Sequence, residues 1–263
     1  MEHDNSFLHS LRIQFRVVGA LLMREILTRY GRHNIGFLWV FFEPMMFTLG
    51  VTGLWTATKA THGGNVPITA FAVTGYSSVL LWRNCANRCA LAILPNQSLL
   101  YHRNVRVADL FWARVILEIA GATTSFVFLI LIFMTVGLME PPAELAPILG
   151  GWVLLAIFGI GLGFTVGALS ERSEAVDRVW HTISYLFFPF SGAVFMVDWL
   201  PPVFQKIVLW FPMVNGTEMI RGGYFGPEVR AHYSVYYLCV VDLVLLFTGL
   251  VLVREAGKRV EPE

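Results

Sequence analysis

The amino-acid sequence predicts an all-α membrane protein that crosses the bilayer several times. Hydrophobic residues make up 56% of the 263 residues and charged residues only 14%, whereas soluble domains carry roughly 25% charged residues. The apolar residues are concentrated in long runs, and most of the cations lie on alternate connections between these runs. The net charge of +1 says nothing about partners, and we expect no nucleic acid among them.

Six stretches are long and apolar enough to cross about 30 Å of hydrocarbon, which takes about 20 residues of α-helix. They are approximately Ile35–Thr58, Val66–Cys85, Trp112–Leu138, Ile148–Leu169, Val176–Val197 and Val235–Val253. Ionisable residues lie in or beside the second and fifth stretches, namely Arg83, Arg88 and His181. We therefore predict a transmembrane domain of six helices over 35–253, followed by a short cytoplasmic tail over 254–263.

The lysines and arginines predict that both termini are cytoplasmic. With the N-terminus inside, 15 of the 19 basic residues fall in the cytoplasmic pieces. The outer pieces hold the other four, which are Lys59, Lys206, Arg221 and Arg230. An excess of cations on the inner side at each crossing is typical of this orientation.

Residues 1–34 are predicted to form a cytoplasmic N-terminal amphipathic helix in the membrane interface. Apolar residues recur at helical spacing over 8–27, and Arg12 lies off that stripe. This pattern is typical of a helix lying in the inner membrane interface. The rival interpretation, a cleaved signal peptide, is disfavoured because the apolar core Val17–Met23 is short and no small-x-small cleavage site follows it.

The first predicted span begins with the most informative stretch of the chain, RYGRHNIGFLWVFFEP, at Arg29–Pro44. A basic segment runs directly into an apolar run that carries Glu43 and Pro44. Proline has no N–H to donate to the carbonyl of Val40, so that carbonyl needs another partner. A membrane helix tolerates such residues only where neighbouring protein satisfies them. The stretch therefore predicts a spanning helix with a protein-lined side.

The connection between the second and third spans is predicted to be a short amphipathic cytoplasmic segment, Asn96–Asp109, with the sequence NQSLLYHRNVRVAD. We expect Asn96 to cap a helix start, and two arginines lie toward the end of the segment. Such a segment either anchors at lipid headgroups or docks into a cytoplasmic partner. A second cytoplasmic connection, SERSEAVDRV from Ser170, is dense in alternating charge; it adds to that contact or is simply solvated.

The fourth predicted span carries a face of small residues, Gly159, Gly163 and Gly167, spaced four apart. This spacing lets another helix approach closely. The run GIGLGFTVG does not match a dinucleotide-binding loop, because the spacing is wrong and no strand precedes it. The cysteines, including Cys85 and Cys89, lie in or near apolar runs and form no CxxC pair, so we expect small packing residues with no metal or disulfide role.

The outer segment Trp199–Glu228 is predicted to hold one or two short helices before the last span. Prolines and glycines interrupt its sequence, WLPPVFQKIVLWFPMVNGTEMIRGGYFGPE. Its apolar residues are too many for a solvated loop and too few for a span. We therefore expect re-entrant or interfacial periplasmic helices surrounded by protein.

Several ionisable residues fall at membrane depth, where they require partners or water. Arg114 and Glu118 are one helical turn apart and are expected to neutralise each other. Glu43 and Asp242 have no partner nearby in the sequence, and His181 lies in the fifth stretch. A substrate path or proton relay is one interpretation of the carboxylates, and an interhelical hydrogen bond is the other. The residues alone leave both open.

The sequence contains none of the common catalytic or nucleotide-binding motifs. The nearest approach to a phosphate-binding loop, Gly257–Lys258, is followed by Arg259 where that loop requires serine or threonine. No His-Glu-x-x-His cluster and no Gly-x-Ser-x-Gly elbow occurs. We therefore predict no catalytic residue, no metal site and no nucleotide site in this chain.

Three stretches resemble the permease subunit of type-2 ABC exporters, within the branch that exports capsular polysaccharide in Gram-negative bacteria. They are the stretch at Arg29–Pro44, FPFSGAVFMVDWLP at Phe188–Pro201 and FPMVNGTEMIRGGYFG at Phe211–Gly226. They occur in the expected order, and the resemblance covers nearly the whole chain. It implies a multi-pass inner-membrane protein whose substrate is an acidic polysaccharide on a lipid anchor.

The resemblance also implies the partners. These are a second copy of the chain in a homodimer, two copies of a cytoplasmic ABC ATPase that bind ATP and magnesium, and periplasmic and outer-membrane capsule export proteins. The segment after the second span matches the coupling helix of the family. The residues that it assigns to ATPase coupling are Asn96, Leu99, Tyr101, Arg103 and Arg106.

A polysaccharide channel has to hold sugars weakly, and aromatic faces do so without fixed charge. The candidate channel residues lie on the first and fifth spans and are Trp39, Phe42, Glu43, Tyr185, Phe187 and Phe188. Arginines at the inner leaflet are suited to an anionic lipid phosphate. The candidates for that contact are Arg29, Arg32, Arg83 and Arg88. Alternatively, the aromatic residues only pack within the protein, and the arginines only set the orientation of the chain in the membrane.

Two other functions are considered. A self-energised secondary transporter would use Glu43 and Asp242 as proton carriers, but the two halves of the chain show no convincing internal repeat. A membrane enzyme that modifies lipid-linked glycans would require a catalytic cluster, which the sequence lacks.

Overall fold

The computed structural model describes residues 2–30, 36–57, 66–90, 92–101 and 105–260. Within these ranges the regular structure is entirely helical, so the predicted all-α class is confirmed there. Ten α-helices follow one another: α1 (Glu2–Tyr30), α2 (Gly36–Ala57), α3 (Ile68–Cys89), α4 (Gln97–Leu100), α5 (Val107–Thr135), α6 (Leu145–Arg172), α7 (Glu174–Leu186), α8 (Pro202–Val208), α9 (Pro212–Phe225) and α10 (Val235–Val260). Short 3₁₀ turns occur at Leu94–Asn96, Val197–Trp199 and Gly226–Glu228.

Four of the described helices are long and apolar enough to cross a membrane. They are Leu38–Ala57 in α2, and α5, α6 and α10 over their whole lengths. They correspond to the first, third, fourth and sixth stretches predicted from the sequence. α1 packs against α5 and α2, beside the start of the first of these helices.

The second predicted span corresponds to α3, which is buried inside the helix bundle. Its 22 residues extend over about 33 Å, and every side chain from Thr69 to Trp82 is buried. α3 contacts α2, α5, α6 and α9, so its threonines and serines face protein. The helix continues past the predicted end at Cys85 and includes Arg83 and Arg88.

The prediction of one continuous fifth span over Val176–Val197 is wrong. α7 ends at Leu186 after 13 residues, a length of about 20 Å. Pro189 has no N–H to continue a helix, and Gly192 adopts φ +82°, a conformation that favours glycine. The chain from Phe187 to Met196 therefore consists of turns and extended backbone.

The glycine face of α6 lies against α3. A Cβ on Gly159 would lie 3.0 Å from the Cα of Trp82, and one on Gly163 would lie 3.0 Å from the carbonyl oxygen of Cys85. A Cβ on Gly167 would lie 2.6 Å from the carbonyl oxygen of Cys89. The two helices approach this closely because the glycines of α6 have no side chain, and the cysteines of α3 have only a small one, to hold the backbones apart.

The outer segment contains two short helices, α8 and α9, as its prolines and glycines predict. α9 runs antiparallel to the first half of α6, because Gly216 contacts Leu155 and Gly223 contacts Ile148. Leu155 is ten residues from the start of α6 at Leu145, which corresponds to about 15 Å along the helix axis. The turn between α8 and α9 therefore lies alongside the apolar part of α6.

Candidate functional site

A row of aromatic side chains runs along one side of α3 and joins it to α2 and to the chain that follows α7. Ring centroids of neighbouring members lie 5.0 Å apart for Trp199 and Phe71, 5.9 Å for Phe71 and Trp55, 5.3 Å for Trp55 and Tyr76, and 5.4 Å for Tyr76 and Phe188. These separations are within the favourable range for aromatic pairs. We call these five residues the aromatic row.

The row ends at a cation. The guanidinium carbon of Arg83 lies 4.7 Å from the ring centroid of Tyr185 and 5.9 Å from that of Phe188, within the range of cation–π attraction. Arg83 is half-buried, whereas 67% of Tyr185 is exposed. Phe71 and Tyr76 are buried in the core of the bundle, so the end of the row at Tyr185 offers the aromatic face for a sugar, beside the positive charge of Arg83 for an anionic group.

The structure brings together only some of the predicted channel residues. The rings of Tyr185 and Phe188 both contact the guanidinium of Arg83. Trp39 and Phe42 contact each other edge to face at 5.5 Å on the exposed side of α2. Phe187 packs against Phe211, 5.8 Å away. A channel-lining role for these residues stays a prediction.

Five charged side chains of α1, α2, α3 and α5 form a charge network. Arg88 donates to Glu43 at 3.0 Å and its Nε lies 3.5 Å from Glu118. Arg114 lies 3.4 Å from Glu25 and also donates to the carbonyl oxygen of Arg88. Arg114 and Glu118, which were expected to neutralise each other, thus each have a partner on another helix. Glu43, for which the sequence offered no partner, is paired as well.

The predicted lipid-phosphate arginines differ in their surroundings. Arg88 lies between two carboxylates, which compensate its charge. Arg83 contacts aromatic rings, so its charge is the better placed of the two to receive an anion. Arg32 lies outside the described residues, and the side chain of Arg29 is likewise not described.

The segment after α3 is fixed to the N-terminal helix. Asn96 is buried; its amide donates to the carbonyl oxygen of Ala92 at 2.8 Å, and its side-chain oxygen accepts from Arg24 of α1. Asn96 occupies the N-cap position of α4, as predicted, but its side chain makes no capping hydrogen bond to that helix. Asp109 accepts from the backbone N–H of Arg106 at 2.9 Å and from the side chain of Gln14.

The same segment also presents exposed apolar side chains. Leu94 is 67% exposed and Tyr101 is 79% exposed, while Leu99 is half-buried. Arg106 is exposed, and Arg103 lies outside the described residues. We call Leu94 and Tyr101 the coupling face.

A cavity of about 410 Å³ lies beside the coupling face. Leu94 and Ile93 line one wall, and residues of the end of α6 and the start of α7, including Glu171 and Arg178, line another. The two predicted cytoplasmic connections thus border one cavity. Both connections are therefore positioned to contact the same partner.

Sequence reasoning missed a buried arginine on α9. Arg221 is fully buried, and its guanidinium donates to the carbonyl oxygens of Gly192 at 2.5 Å, Phe195 at 2.6 Å and Ala193 at 2.8 Å. The guanidinium also lies over the ring of Phe71 at 3.8 Å. It satisfies the backbone carbonyls that the interruption after α7 leaves without helical donors.

Two further polar residues of α9 act in the same way. Glu218 accepts from the backbone N–H groups of Val197 at 3.1 Å and His232 at 3.0 Å. Asn215 donates to the carbonyl oxygen of Leu209 at 2.9 Å and accepts from the N–H of Ser234 at 2.9 Å. The three-residue spacing of Asn, Glu and Arg in an apolar segment is the signal that identifies them.

The sequence profile of the ABC-2 type transporter family matches residues 16–225. Over 261 residues the chain is 46% identical to the capsule polysaccharide export inner-membrane protein CtrC of Neisseria meningitidis serogroup B, covering 99% of this chain and 98% of the relative. It is 44% identical over 258 residues to the capsule polysaccharide export inner-membrane protein BexB of Haemophilus influenzae, covering 98% and 97%. The polysialic acid transport protein KpsM of Escherichia coli is 26% identical over 242 residues, covering 92% and 94%.

Proposed function

Because this chain belongs to the ABC-2 type transporter family, we propose that it is the channel-forming permease subunit of an ATP-driven exporter. Its cargo is a lipid-linked acidic capsular polysaccharide, which it moves across the bacterial inner membrane. The observation that carries the proposal is the exposed ring of Tyr185 beside Arg83, at the end of the aromatic row. The names of the relatives, which export capsule polysaccharide or transport polysialic acid, support this cargo class.

The proposed topology has six crossings and two cytoplasmic termini. α2, α5, α6 and α10 are the four long apolar crossings. α3 is the second crossing, enclosed by protein. α7 and the broken backbone after it form the fifth, in which Arg221 replaces the missing helical donors. Non-helical backbone is tolerated at this depth because protein surrounds it.

The exposed end of the aromatic row, at Tyr185, is suited to a moving glycan. Aromatic faces contact sugar rings over a broad area without a fixed charge, so successive sugars bind weakly and exchange easily. Arg83 adds a single positive charge for the acidic groups or the lipid phosphate. Tyr185 is largely exposed in the single chain, so a second copy of the chain is required to enclose the path. We therefore propose a homodimer.

ATP hydrolysis takes place on a separate ATPase, of which two copies bind the homodimer. We propose that the coupling face docks into this ATPase, because two largely exposed apolar side chains on a cytoplasmic turn fit a protein interface better than water. The hydrogen bonds of Asn96 and Asp109 to α1 tie the turn to the N-terminal helix, so movement of one is transmitted to the other.

The docking proposal is tested by replacing Tyr101 with alanine. We expect the variant to insert normally but to co-purify with less ATPase and to stimulate hydrolysis weakly. Tyr236, which is 81% exposed on α10, provides a matched control, and its replacement with alanine should change neither property. Full stimulation of ATP hydrolysis by the Tyr101 variant would show that the coupling face does not dock into the ATPase.

The export proposal itself is tested in cells that lack the chain. Finished polysaccharide should accumulate inside such cells, and its sugar composition should match that of the exported capsule. A glycan with altered structure would instead indicate a membrane enzyme that modifies lipid-linked sugars. Periplasmic and outer-membrane capsule export proteins complete the proposed route and are expected to cross-link to the outer segment.

One observation favours a self-energised secondary transporter as a second candidate. Asp242 is buried in α10, and neither of its carboxylate oxygens has a hydrogen-bond partner among the described residues. A carboxylate in this position suits a proton carrier. Glu43, the other carrier expected from the sequence, is instead paired with Arg88, which leaves Asp242 as the single support for this function.

A further inference from the structure

A second cavity lies between the start of α5 and the last turns of α10. It measures about 520 Å³, and three cations line it: Arg106 from the residue before α5, and Arg254 and Lys258 from α10. Leu250 and Val253 of α10 form its apolar wall. Nothing in the proposed transport route uses this cavity.

The lining follows from helical geometry. Leu250, Arg254 and Lys258 are spaced four residues apart, so they lie on one face of α10. Two like charges at this spacing repel each other unless an anion lies between them. Glu255, the acidic residue of the same turn, forms its ion pair with Arg172 of α6 and faces away from this pair. Among the described residues, none of the three cations forms an ion pair.

With the topology proposed above, on which this step rests, the cavity lies at the depth of the inner headgroup layer. A bilayer takes about 20 helical residues to cross, so a span that starts at Val235 leaves the hydrocarbon close to Arg254. Lys258 is then level with lipid headgroups, and Leu250 is level with the inner ends of the acyl chains. Phe247, about one turn before Leu250, and Val251, the next residue, are also exposed on this helix. A ligand in this cavity contacts cations on the cytoplasmic side and an apolar surface on the hydrocarbon side.

We propose that this cavity is a binding site for an anionic phospholipid. Three cations from two segments fit a headgroup with two phosphates, of the cardiolipin type, better than a single phosphate. The apolar wall receives the first part of an acyl chain, which a free phosphate ion lacks. The bound lipid neutralises the repulsion between Arg254 and Lys258 and connects α5 to α10.

The experiment uses the full-length protein in detergent, without nucleotide or glycan, so its result is independent of the transport proposal. Binding of cardiolipin, phosphatidylglycerol, phosphatidylcholine and inorganic phosphate is measured by native mass spectrometry. We expect cardiolipin to bind most tightly, phosphatidylglycerol less tightly, and the other two not measurably. The double variant R254Q/K258Q should bind cardiolipin on the order of tenfold to thirtyfold more weakly. Each lost cation weakens the attraction to an anionic headgroup by roughly threefold to fivefold, and the two losses multiply.

Two variants control for folding and for general charge. R254K/K258R retains both charges and should retain cardiolipin binding. R259Q/R230Q removes two exposed cations that do not line the cavity, and it should also bind like the wild type. Equal cardiolipin affinity of the wild type and R254Q/K258Q would overturn the proposal, as would inorganic phosphate competing as effectively as cardiolipin. Loss of ATPase binding by R254Q/K258Q with unchanged lipid binding would identify a protein-docking surface and would overturn it as well.

Discussion

Replacement of Arg221 with methionine should strongly destabilise the protein. The guanidinium donates to the carbonyl oxygens of Gly192, Ala193 and Phe195 at 2.5–2.8 Å, and the residue is fully buried. Methionine has a similar reach but no donor. Three backbone carbonyls would therefore lose their partner within the protein.

The magnitude follows from these contacts. An orphaned buried acceptor costs about 1–3 kcal/mol, so three cost roughly 3–9 kcal/mol in total. The substitution also removes the desolvation penalty of a buried cation, which is several kcal/mol. We expect a net loss of about 3–5 kcal/mol in the free energy of unfolding, as is typical when one side of a buried charged interaction is removed. At about 2–4 °C per kcal/mol for a chain of this size, the melting temperature should fall by roughly 10 °C.

The assay uses two buried thiols of the protein itself. Cys85 and Cys89 are fully buried, so they react with a fluorogenic thiol reagent only when the bundle opens. The half-buried Cys239 is first replaced with alanine to remove its background signal. The melting curve of the methionine variant is then compared with that of Arg230→Met, in which an exposed arginine of the same outer region is replaced.

The outcome distinguishes a structural role from a neutral one. Arg230→Met should melt like the parent protein. Arg221→Lys should melt between the parent and the methionine variant, because the ammonium group has fewer donors than the guanidinium and lacks its fixed planar geometry. A melting temperature for Arg221→Met within about 2 °C of the parent, less than 1 kcal/mol on the same scale, would refute the reasoning.

Helix packing, the charge network and the aromatic row each give a further prediction. Gly167→Ala should lower the free energy of unfolding by about 1–3 kcal/mol, because its Cβ would overlap the backbone of α3. As a control, Gly50→Ala meets open space and should be neutral or stabilising. Equal melting temperatures of the two variants would contradict the close packing. Arg88→Gln should lower the free energy of unfolding more than Glu43→Gln. It removes a cation that contacts two carboxylates, whereas the exposed Glu43 contributes less than about 1 kcal/mol. The reverse order in thermal melts would argue against the network. Tyr185→Ala should reduce surface capsule severalfold without changing ATP hydrolysis, and Tyr185→Phe, which keeps the ring, should restore export; failure of that rescue would exclude stacking.

The sequence predicts the long helices well because their signal is local. A run of about 20 apolar residues bounded by charges is sufficient to identify a crossing, and α2, α5, α6 and α10 each have such a run. The close contact of α6 with α3 is also visible locally, in the spacing of its glycines. The interruption after Leu186 is not, since the apolar run continues to Val197. The donors that make this interruption possible come from Arg221, far along the chain.

The polar contacts of the site show the same division. Arg114 and Glu118 are one turn apart in sequence, which suggested a pair, and the structure adds a partner for each from another helix, Glu25 for Arg114 and Arg88 for Glu118. Asn96 has the residue type of a helix cap, but its side chain contacts Ala92 and α1 instead. Residue type and spacing thus identify the polar positions, whereas the choice of partner depends on how α1, α3 and α5 pack.

The central claim is tested most directly by transport in reconstituted vesicles. The purified chain is incorporated with and without its ATPase, and movement of a lipid-linked acidic polysaccharide is followed by its protection from an added glycan hydrolase. Transport should occur only with both the ATPase and ATP, and a proton gradient alone should drive none. Transport by the isolated chain under a proton gradient, abolished by Asp242→Asn, would contradict the account and establish a secondary transporter.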